Sequence, residues 1–261
     1  LAQIHDAGLN MIRTGWWTGW DKFCDENGQP YERTLRTLEA YLMTARKNGL
    51  PVQFNFFAFL PDVLGGTNAF LDPAAVRRQR TLISSVVARF RAVPFLAWDL
   101  INEPSFSEHL WTMRPNGDPI EVASWNGWLS QRYPDRAKLA AWWNVPAASV
   151  EGTIPLPSED EFSPRGMYTG SNSLKIHDYF LFAQDSFVQW VRDMREAIRG
   201  AGSQQLVTVG QDEGGIQDRL SPAFWGEAVD FTTNHSWWQN DYVLWDSLAA
   251  KQPGEAMLIQ E

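Results

Sequence analysis

The sequence has little of what disulfide scaffolds, metal sites and nucleic-acid-binding proteins need. Its single cysteine, Cys24, excludes an intrachain disulfide and a thiolate metal cage. Its four histidines stand far apart, without the spacing of metal ligands: His5, His109, His177 and His235. No run of five or more basic residues occurs, and the net charge is −9 with a pI near 5.0. We therefore expect no metal, and neither nucleic acid nor an anionic membrane surface as a partner.

Long apolar runs and a leader pattern are also missing. No apolar run reaches the roughly 18 to 20 residues that a membrane-spanning helix needs. The first residues lack the pattern of a secretory signal peptide and resemble the end of a helix instead. The sequence leaves localisation open between secreted, periplasmic and cytoplasmic, and it leaves the oligomeric state open.

Apolar residues and tryptophan are plentiful. At 261 residues and 44% hydrophobic composition, the chain can bury the core of one α/β barrel or of two smaller domains. Several of its 14 tryptophans stand beside Gly, Thr, Asn or Asp, as in "TGWWTGWD" and "NHSWWQN". Core packing accounts for about half of them. Tryptophan among polar residues is also typical of sugar sites, where a pyranose stacks on the ring.

Strand patterns alternate with helical patterns along the chain. Apolar strand-like runs occur at 8–17, 51–59, 95–101, 205–210, 228–234 and 256–260, and amphipathic helices are predicted at about 32–48, 73–90, 179–198 and 241–251. This alternation predicts a parallel sheet with right-handed crossovers. A doubly wound sheet and a (β/α)8 barrel both fit. No Gly-rich fingerprint follows a strand, so no nucleotide cofactor is expected.

Residues 105–170 interrupt the repeat with two short helical patterns and a loop rich in Pro, Ser and Glu. The segment is too small and irregular for a separate domain. We interpret residues 1–261 as one partial catalytic barrel, with 105–170 as an elaborated βα-loop insertion on its catalytic face.

Polar and aromatic side chains follow the predicted strands. They are Trp16, Trp17, Asn102, Glu103, Gln211, Asp212, Glu213, His235, Trp237 and Glu261. In a barrel, such strand ends are where active sites are built. A structural role for Glu103 would be an ion pair with Arg13 or with another arginine of the barrel. A functional role would pair it with Glu261, one carboxyl as acid and the other as nucleophile on either side of a glycosidic bond.

The strand ends "LINEP" and "LIQE" resemble the signatures of glycoside hydrolase clan A, the retaining glycosidases on (β/α)8 barrels. In that clan an Asn-Glu pair ends strand 4 and a second Glu ends strand 7. The resemblance implies an incomplete TIM barrel that has strands 2 to 7 and lacks strands 1 and 8. The tryptophan that the clan usually carries on strand 8 is then missing as well, and the chain is expected to be a fragment of a longer protein.

The resemblance also implies roles for individual residues. Glu103 is expected to be the general acid/base and Glu261 the nucleophile of a double displacement. Asn102 is expected to bind the sugar 2-hydroxyl, Arg13 to keep the nucleophile ionised, and His235 to contact substrate. The acid must be protonated and the nucleophile anionic, so different surroundings are expected for the two glutamates.

Two positions depart from the clan pattern. Trp237 stands where many members have a tyrosine that contacts the nucleophile. The aromatic run Phe56, Phe57 and Phe59 stands where a histidine often follows strand 3. Neither of these two family roles is carried over, and Trp237 is expected to contact the sugar only.

The substrate is expected to be a β-linked galactoside, mannoside or glucoside. The segment "WNGWLSQRYPDRAKLAAWW" resembles family 42 β-galactosidases, while "DLINEP" is more like family 5 cellulases and mannanases. Candidate stacking platforms are Trp16, Trp17 and Trp20, and candidate specificity contacts are Asp212, Glu213 and Trp238. The alternative function is a catalytically silent carbohydrate-binding barrel. The presence of Asn102 with both glutamates favours the enzyme, although the fragment alone is expected to be inactive.

Overall fold

The computed structural model describes residues 1–17, 23–58, 60, 62–104, 112–163, 173–210, 224–235, 248 and 251–260. The strands are β1 (Ile12–Gly15), β2 (Val52–Phe57), β3 (Leu96–Asn102), β4 (Val207–Gly210), β5 (Phe231–Asn234) and β6 (Ala256–Ile259). The helices are α1 (Ala2–Asp6), α2 (Glu32–Lys47), α3 (Asp62–Gly65), α4 (Pro73–Phe90), α5 (Pro119–Arg132), α6 (Arg136–Trp143) and α7 (Ser173–Gly200). The predicted strands are confirmed, whereas most of the predicted helix 241–251 lies outside the described residues.

All strand pairs are parallel and follow chain order. β1 to β4 form one sheet, and β5 and β6 form another. Side chains join the two sheets: Thr208 donates to the carbonyl of Phe231 over 2.7 Å, and Thr233 donates to that of Val209 over 2.5 Å. Consecutive strands are therefore neighbours throughout, as in part of a barrel.

The strands β2 to β5 are largely buried because helices cover their outer face, whereas β6 is partly exposed. Every residue of β2, β4 and β5 is buried. The predicted apolar faces of the long helices are buried as well, namely Leu82, Ile83, Val86, Val87 and Phe90 of α4, and Tyr179, Ala183, Phe187, Trp190, Met194 and Ile198 of α7. The Asp72 carboxylate caps the start of α4, since it accepts a hydrogen bond from the Ala74 amide over 2.8 Å. No described helix is long and apolar enough to cross a membrane.

The described part of the insertion packs on α7 through tryptophan. The ring of Trp125 stacks on Trp128 at 5.6 Å and on Trp143 at 6.2 Å. The Trp143 indole donates to the buried Asp178 carboxylate over 2.7 Å. These tryptophans belong to the core. The proposed limits of the insertion stay a prediction, because residues 105–111 and 164–170 lie outside the described residues.

A buried glutamate fastens the start of α5 to α7. Glu121 accepts 2.8 Å hydrogen bonds from the amides of Asn116 and Gly117. The Tyr179 hydroxyl donates to its other oxygen over 2.6 Å. Burial raises the pKa of Glu121, although these hydrogen bonds work in the opposite direction. The folded protein therefore holds a proton at Glu121 more tightly than the unfolded chain does.

We expect this carboxyl to weaken the fold as pH rises. A raised folded pKa contributes stability below the unfolded pKa of about 4.3, and that contribution is lost as pH rises through the folded value. Glu121→Gln keeps an oxygen for the two backbone amides and removes the titration. Urea unfolding between pH 4 and 7 should therefore show a flatter pH dependence for Glu121→Gln than for the parent.

Asp118 in the same turn supplies a control, because its pKa is shifted in the opposite direction to that of Glu121. Burial raises the pKa of Asp118, but hydrogen bonds from Asn68, Glu121, Asn116 and Ile120 outweigh it and lower the pKa. Its stabilisation is present above the unfolded pKa and lost as pH falls. Asp118→Asn should thus lower the free energy of unfolding more at pH 7 than at pH 3. If the free energy of unfolding changed with pH in the same way in the parent and in Glu121→Gln, the role given to Glu121 would be contradicted.

Candidate active site

An ion pair lies inside the sheet at the centre of the site. Arg13 on β1 contacts a single oxygen of Asp99 on β3, with its Nε at 3.0 Å and its Nη2 at 2.9 Å from Oδ2. The side chains of Arg13 and Asp99 are 10% and 0% exposed. Two charges removed from water in this way depend on each other, because either one alone would be strongly unfavourable.

The same guanidinium also orients Asn102. Arg13 Nη2 donates to Asn102 Oδ1 over 2.6 Å. Side chains alternate between the faces of a regular strand, so residues three apart such as Asp99 and Asn102 would face opposite ways. The register shifts between these two residues, with Asp99 opposite Thr208 and Asn102 opposite Gly210. This bulge in β3 turns both side chains towards Arg13.

Gly210 at the end of β4 makes room for this arrangement. A Cβ atom at this position would lie 2.7 Å from the carbonyl oxygen of Ile101 and 2.9 Å from Arg13 Nη2. Any larger residue would push the bulged strand or the guanidinium away. Glycine at position 210 therefore contributes to the site without carrying chemistry.

Glu103 stands at the carboxyl end of β3 in a strained backbone conformation. Its φ is 41°, in the left-handed region that residues other than glycine rarely adopt. Its side chain is 8% exposed, and Oε1 shares a 2.6 Å hydrogen bond with Nδ1 of the fully buried His235. The structural alternative placed Glu103 against Arg13, whereas the ion pair of Arg13 just described is made with Asp99.

Gln260 connects the two halves of the site. His235 Nε2 lies 2.8 Å from Gln260 Oε1, and Gln260 Nε2 donates to Asp99 Oδ2 over 3.3 Å. The polar side chains thus form one hydrogen-bonded chain, which runs through Asn102, Arg13, Asp99, Gln260, His235 and Glu103. Among the described residues, no group of three His, Cys, Asp or Glu side chains could hold a metal ion.

The two described candidate tryptophans have different surroundings. Trp17 is 37% exposed, and the Arg13 guanidinium lies over its ring at 5.4 Å. Trp16 is partly buried, stacks on Phe23 at 4.6 Å and meets Phe54 edge to face at 5.1 Å. Trp17 therefore presents more ring surface beside the polar chain than Trp16 does.

Several predicted site residues lie outside the described residues. They are Glu261, Trp237, Trp20, Phe59, Gln211, Asp212, Glu213 and Trp238. Phe56 and Phe57, which replace the family's histidine, are fully buried in the core. The structure therefore brings together Arg13, Asn102, Glu103 and His235 of the predicted set.

Sequence reasoning missed Asp99 and Gln260 as members of this site. A charged residue inside the apolar run "FLAWDLI" is a signal for Asp99, because a buried carboxylate needs a partner. No comparable signal exists for Gln260. A glutamine at the end of a strand is ordinary, and its role comes from the two side chains that it meets.

No protein-family model matches the sequence, and no curated protein matches it. Solved structures do match. A β-galactosidase from Bacillus circulans sp. alkalophilus is 15% identical with a TM-score of 0.70, over 95% of this chain and 39% of its own. A β-galactosidase from the psychrophilic Marinomonas ef1 is 16% identical with a TM-score of 0.66, over 90% of this chain and 38% of its own.

A third structure comes from another glycosidase group. A GH5_18 variant from Streptomyces cattleya, in complex with Manβ1-4GlcNAc, is 16% identical with a TM-score of 0.55, over 90% of this chain and 45% of its own. At such identities the likeness defines the fold. The chain spans well under half the length of these three proteins. It has the α/β fold of part of a (β/α)8 barrel, as predicted, and its structural neighbours are barrel glycosidases.

Proposed function

We propose that the protein is a retaining β-glycoside hydrolase, with Glu103 as general acid/base and Glu261 as nucleophile. The observation that carries the proposal is the buried Glu103–His235 pair, which ends a strand directly beside Asn102. The fold shared with barrel glycosidases supports it. A carbohydrate-binding protein without catalysis would need neither the strained Glu103 backbone nor a hydrogen-bonded partner for its carboxyl group.

The reaction has two steps. Glu261 attacks the anomeric carbon while Glu103 protonates the departing glycosidic oxygen, and a covalent glycosyl-enzyme forms. Glu103, now a carboxylate, takes a proton from water, and the water oxygen displaces Glu261 from the anomeric carbon. Two inversions at one carbon release the sugar with its original β configuration.

Arg13 is proposed to prepare Asn102 and Glu261 for these steps. Because a guanidinium only donates, its bond to Asn102 Oδ1 leaves Nδ2 as the donating end of that amide. Nδ2 can then donate to a sugar 2-hydroxyl oxygen. The positive charge of Arg13 favours the ionised form of Glu261.

The sugar is proposed to be a β-linked galactoside, mannoside or glucoside that stacks on Trp17, with Trp237 and Trp16 as further aromatic contacts. The names of the similar structures, β-galactosidases and a protein with bound Manβ1-4GlcNAc, support a galactoside or a mannoside. His235 has both ring nitrogens engaged by Glu103 and Gln260. We therefore propose that it acts on substrate through Glu103.

Hydrolysis of aryl glycosides tests the proposal. The full-length protein is incubated with the p-nitrophenyl β-glycosides of galactose, mannose and glucose, and the first-formed anomer is read by proton NMR. The expected result is hydrolysis of at least one substrate to the β anomer. The α anomer would contradict the retaining mechanism. Sugar binding without hydrolysis would favour the silent carbohydrate-binding barrel.

A further inference from the structure

We propose that Gln260, oriented by Asp99, is a positioning residue that fixes where His235 carries its protons. The consequence is that one oxygen of Glu103 is committed to His235 and the other transfers the catalytic proton. That consequence rests on the proposed function, whereas the proton position on His235 does not.

Asp99 decides which way the Gln260 amide faces. Asp99 is fully buried and paired with Arg13, so it is a carboxylate and can only accept hydrogen bonds. Gln260 must therefore present its NH₂ group to Asp99, at 3.3 Å. The Gln260 main chain is held as well, since its amide donates to the Asn234 carbonyl over 2.9 Å. The carbonyl end of the Gln260 side chain is left facing His235.

Gln260 in turn decides which nitrogen of His235 bears hydrogen. Gln260 Oε1 lies 2.8 Å from His235 Nε2 and can only accept. His235 Nε2 must therefore be protonated. The opposite tautomer would set a nitrogen lone pair against a carbonyl oxygen inside the protein, where neither could turn to water.

The tautomer of His235 then constrains Glu103. With Nε2 protonated, the 2.6 Å contact between His235 Nδ1 and Glu103 Oε1 needs a proton of its own. That proton comes from a neutral Glu103 carboxyl group, or from a doubly protonated His235 facing a Glu103 carboxylate. When Glu103 acts as a base it is a carboxylate, and His235 must then be doubly protonated. When Glu103 acts as an acid, its one proton must lie on Oε2, so the proton of the contact again comes from Nδ1 of a doubly protonated His235. Oε1 accepts from His235 in both roles, and Oε2 exchanges the catalytic proton with substrate and water.

Within the part of the protein that the structure describes, three charged groups border this chain of hydrogen bonds. Glu103 faces His235 from the end of β3, Asp99 faces Gln260 from within β3, and Arg13 on β1 neutralises Asp99. Among the described residues, two carboxyl groups and one guanidinium thus contribute to the environment of the imidazole. Asp99 acts on His235 only through Gln260.

Nitrogen NMR of the histidine rings reads the proton position directly. The full-length protein is labelled with ¹⁵N at the histidine rings, and the signal lost in His235→Asn assigns His235. Two-bond couplings distinguish a ring protonated at Nε2, at Nδ1 or at both. We expect Nε2 of His235 to be protonated in the parent protein at every pH at which it stays folded.

Two substitutions at Gln260 separate its role from mere packing. Gln260→Met keeps the length and removes the acceptor, so His235 is expected to change to the Nδ1-protonated form facing a Glu103 carboxylate. Gln260→Glu places a carboxylate opposite His235, and both carboxylate oxygens accept hydrogen bonds. Nε2 of His235 should therefore stay protonated in this variant. Because Gln260 precedes Glu261, a substitution at Gln260 could change activity by moving Glu261. The ring signal of His235 does not depend on Glu261 in this way, so it is the readout.

A parent ring protonated only at Nδ1 would overturn the inference, and so would a Gln260→Met ring that keeps its Nε2 proton. Because the spectrum needs no substrate, it is independent of hydrolysis. If the ring behaves as expected and no aryl glycoside is cleaved, the proposed function fails while the control of His235 by Gln260 stands.

Discussion

Replacing Glu103 with alanine is expected to lower kcat on a β-linked disaccharide by about 10²- to 10⁴-fold, the range that general acid/base catalysis contributes. The loss arises because the departing sugar oxygen is a poor leaving group without a proton. An aryl glycoside with an acidic phenol needs no such proton, so formation of its glycosyl-enzyme should be far less affected. The glycosyl-enzyme then accumulates, and KM falls together with kcat.

Azide gives this prediction a chemical control. Added to Glu103→Ala, azide needs no general base and can displace Glu261, so turnover is expected to recover with a β-glycosyl azide as product. Glu121→Gln changes another buried glutamate outside the site and should keep the parent's activity. Equal losses on both substrates with no azide product would show that Glu103 supports the fold and does not transfer a proton.

Replacing Asp99 with leucine is expected to lower the free energy of unfolding by about 3 to 5 kcal/mol, the cost of leaving one member of a buried ion pair without its partner. The Arg13 side chain is only 10% exposed, so water cannot take the place of the lost carboxylate. Urea unfolding at pH 7 measures the change. The double variant Arg13→Met with Asp99→Leu should recover most of the loss, because it removes both charges.

An exposed ion pair provides the matched comparison. Arg36 and Glu32 contact each other at 3.1 Å with side chains that are 75% and 54% exposed. Arg36→Ala should cost no more than about 1 kcal/mol, because water screens such pairs. If Asp99→Leu cost as little as Arg36→Ala, the Arg13–Asp99 pair would not be the buried centre of the site.

The arrangement of strands and helices followed from local sequence patterns. Leu82, Val86 and Phe90 recur at helical spacing because one face of α4 covers the sheet, and all three are buried. The strand β2 could be predicted from its apolar run, since helices and the barrel interior cover both of its faces. Short-range periodicity suffices where burial is uniform along an element.

The site depends on contacts that no local pattern encodes. Regular alternation would place Asp99 and Asn102 on opposite faces, and the bulge that brings both to Arg13 has no sequence signature in the run "WDLIN". His235 could be proposed from the resemblance, but its partner Glu103 is 132 residues away in the chain. Trp16 and Trp17 are adjacent in sequence and still differ, because only Trp16 reaches Phe23 and Phe54.

Covalent trapping tests the central claim most directly. The full-length protein is incubated with the 2-deoxy-2-fluoro aryl β-glycoside of whichever sugar it hydrolyses, digested with pepsin and analysed by mass spectrometry. The fluorine slows both steps, and the good leaving group lets the first one proceed, so the glycosyl-enzyme accumulates. A retaining glycosidase built on Glu103 and Glu261 should carry one fluoroglycosyl group on Glu261. A label on any other residue would contradict the assignment. Release of the 2-deoxy-2-fluoro sugar without any labelled protein would contradict it as well.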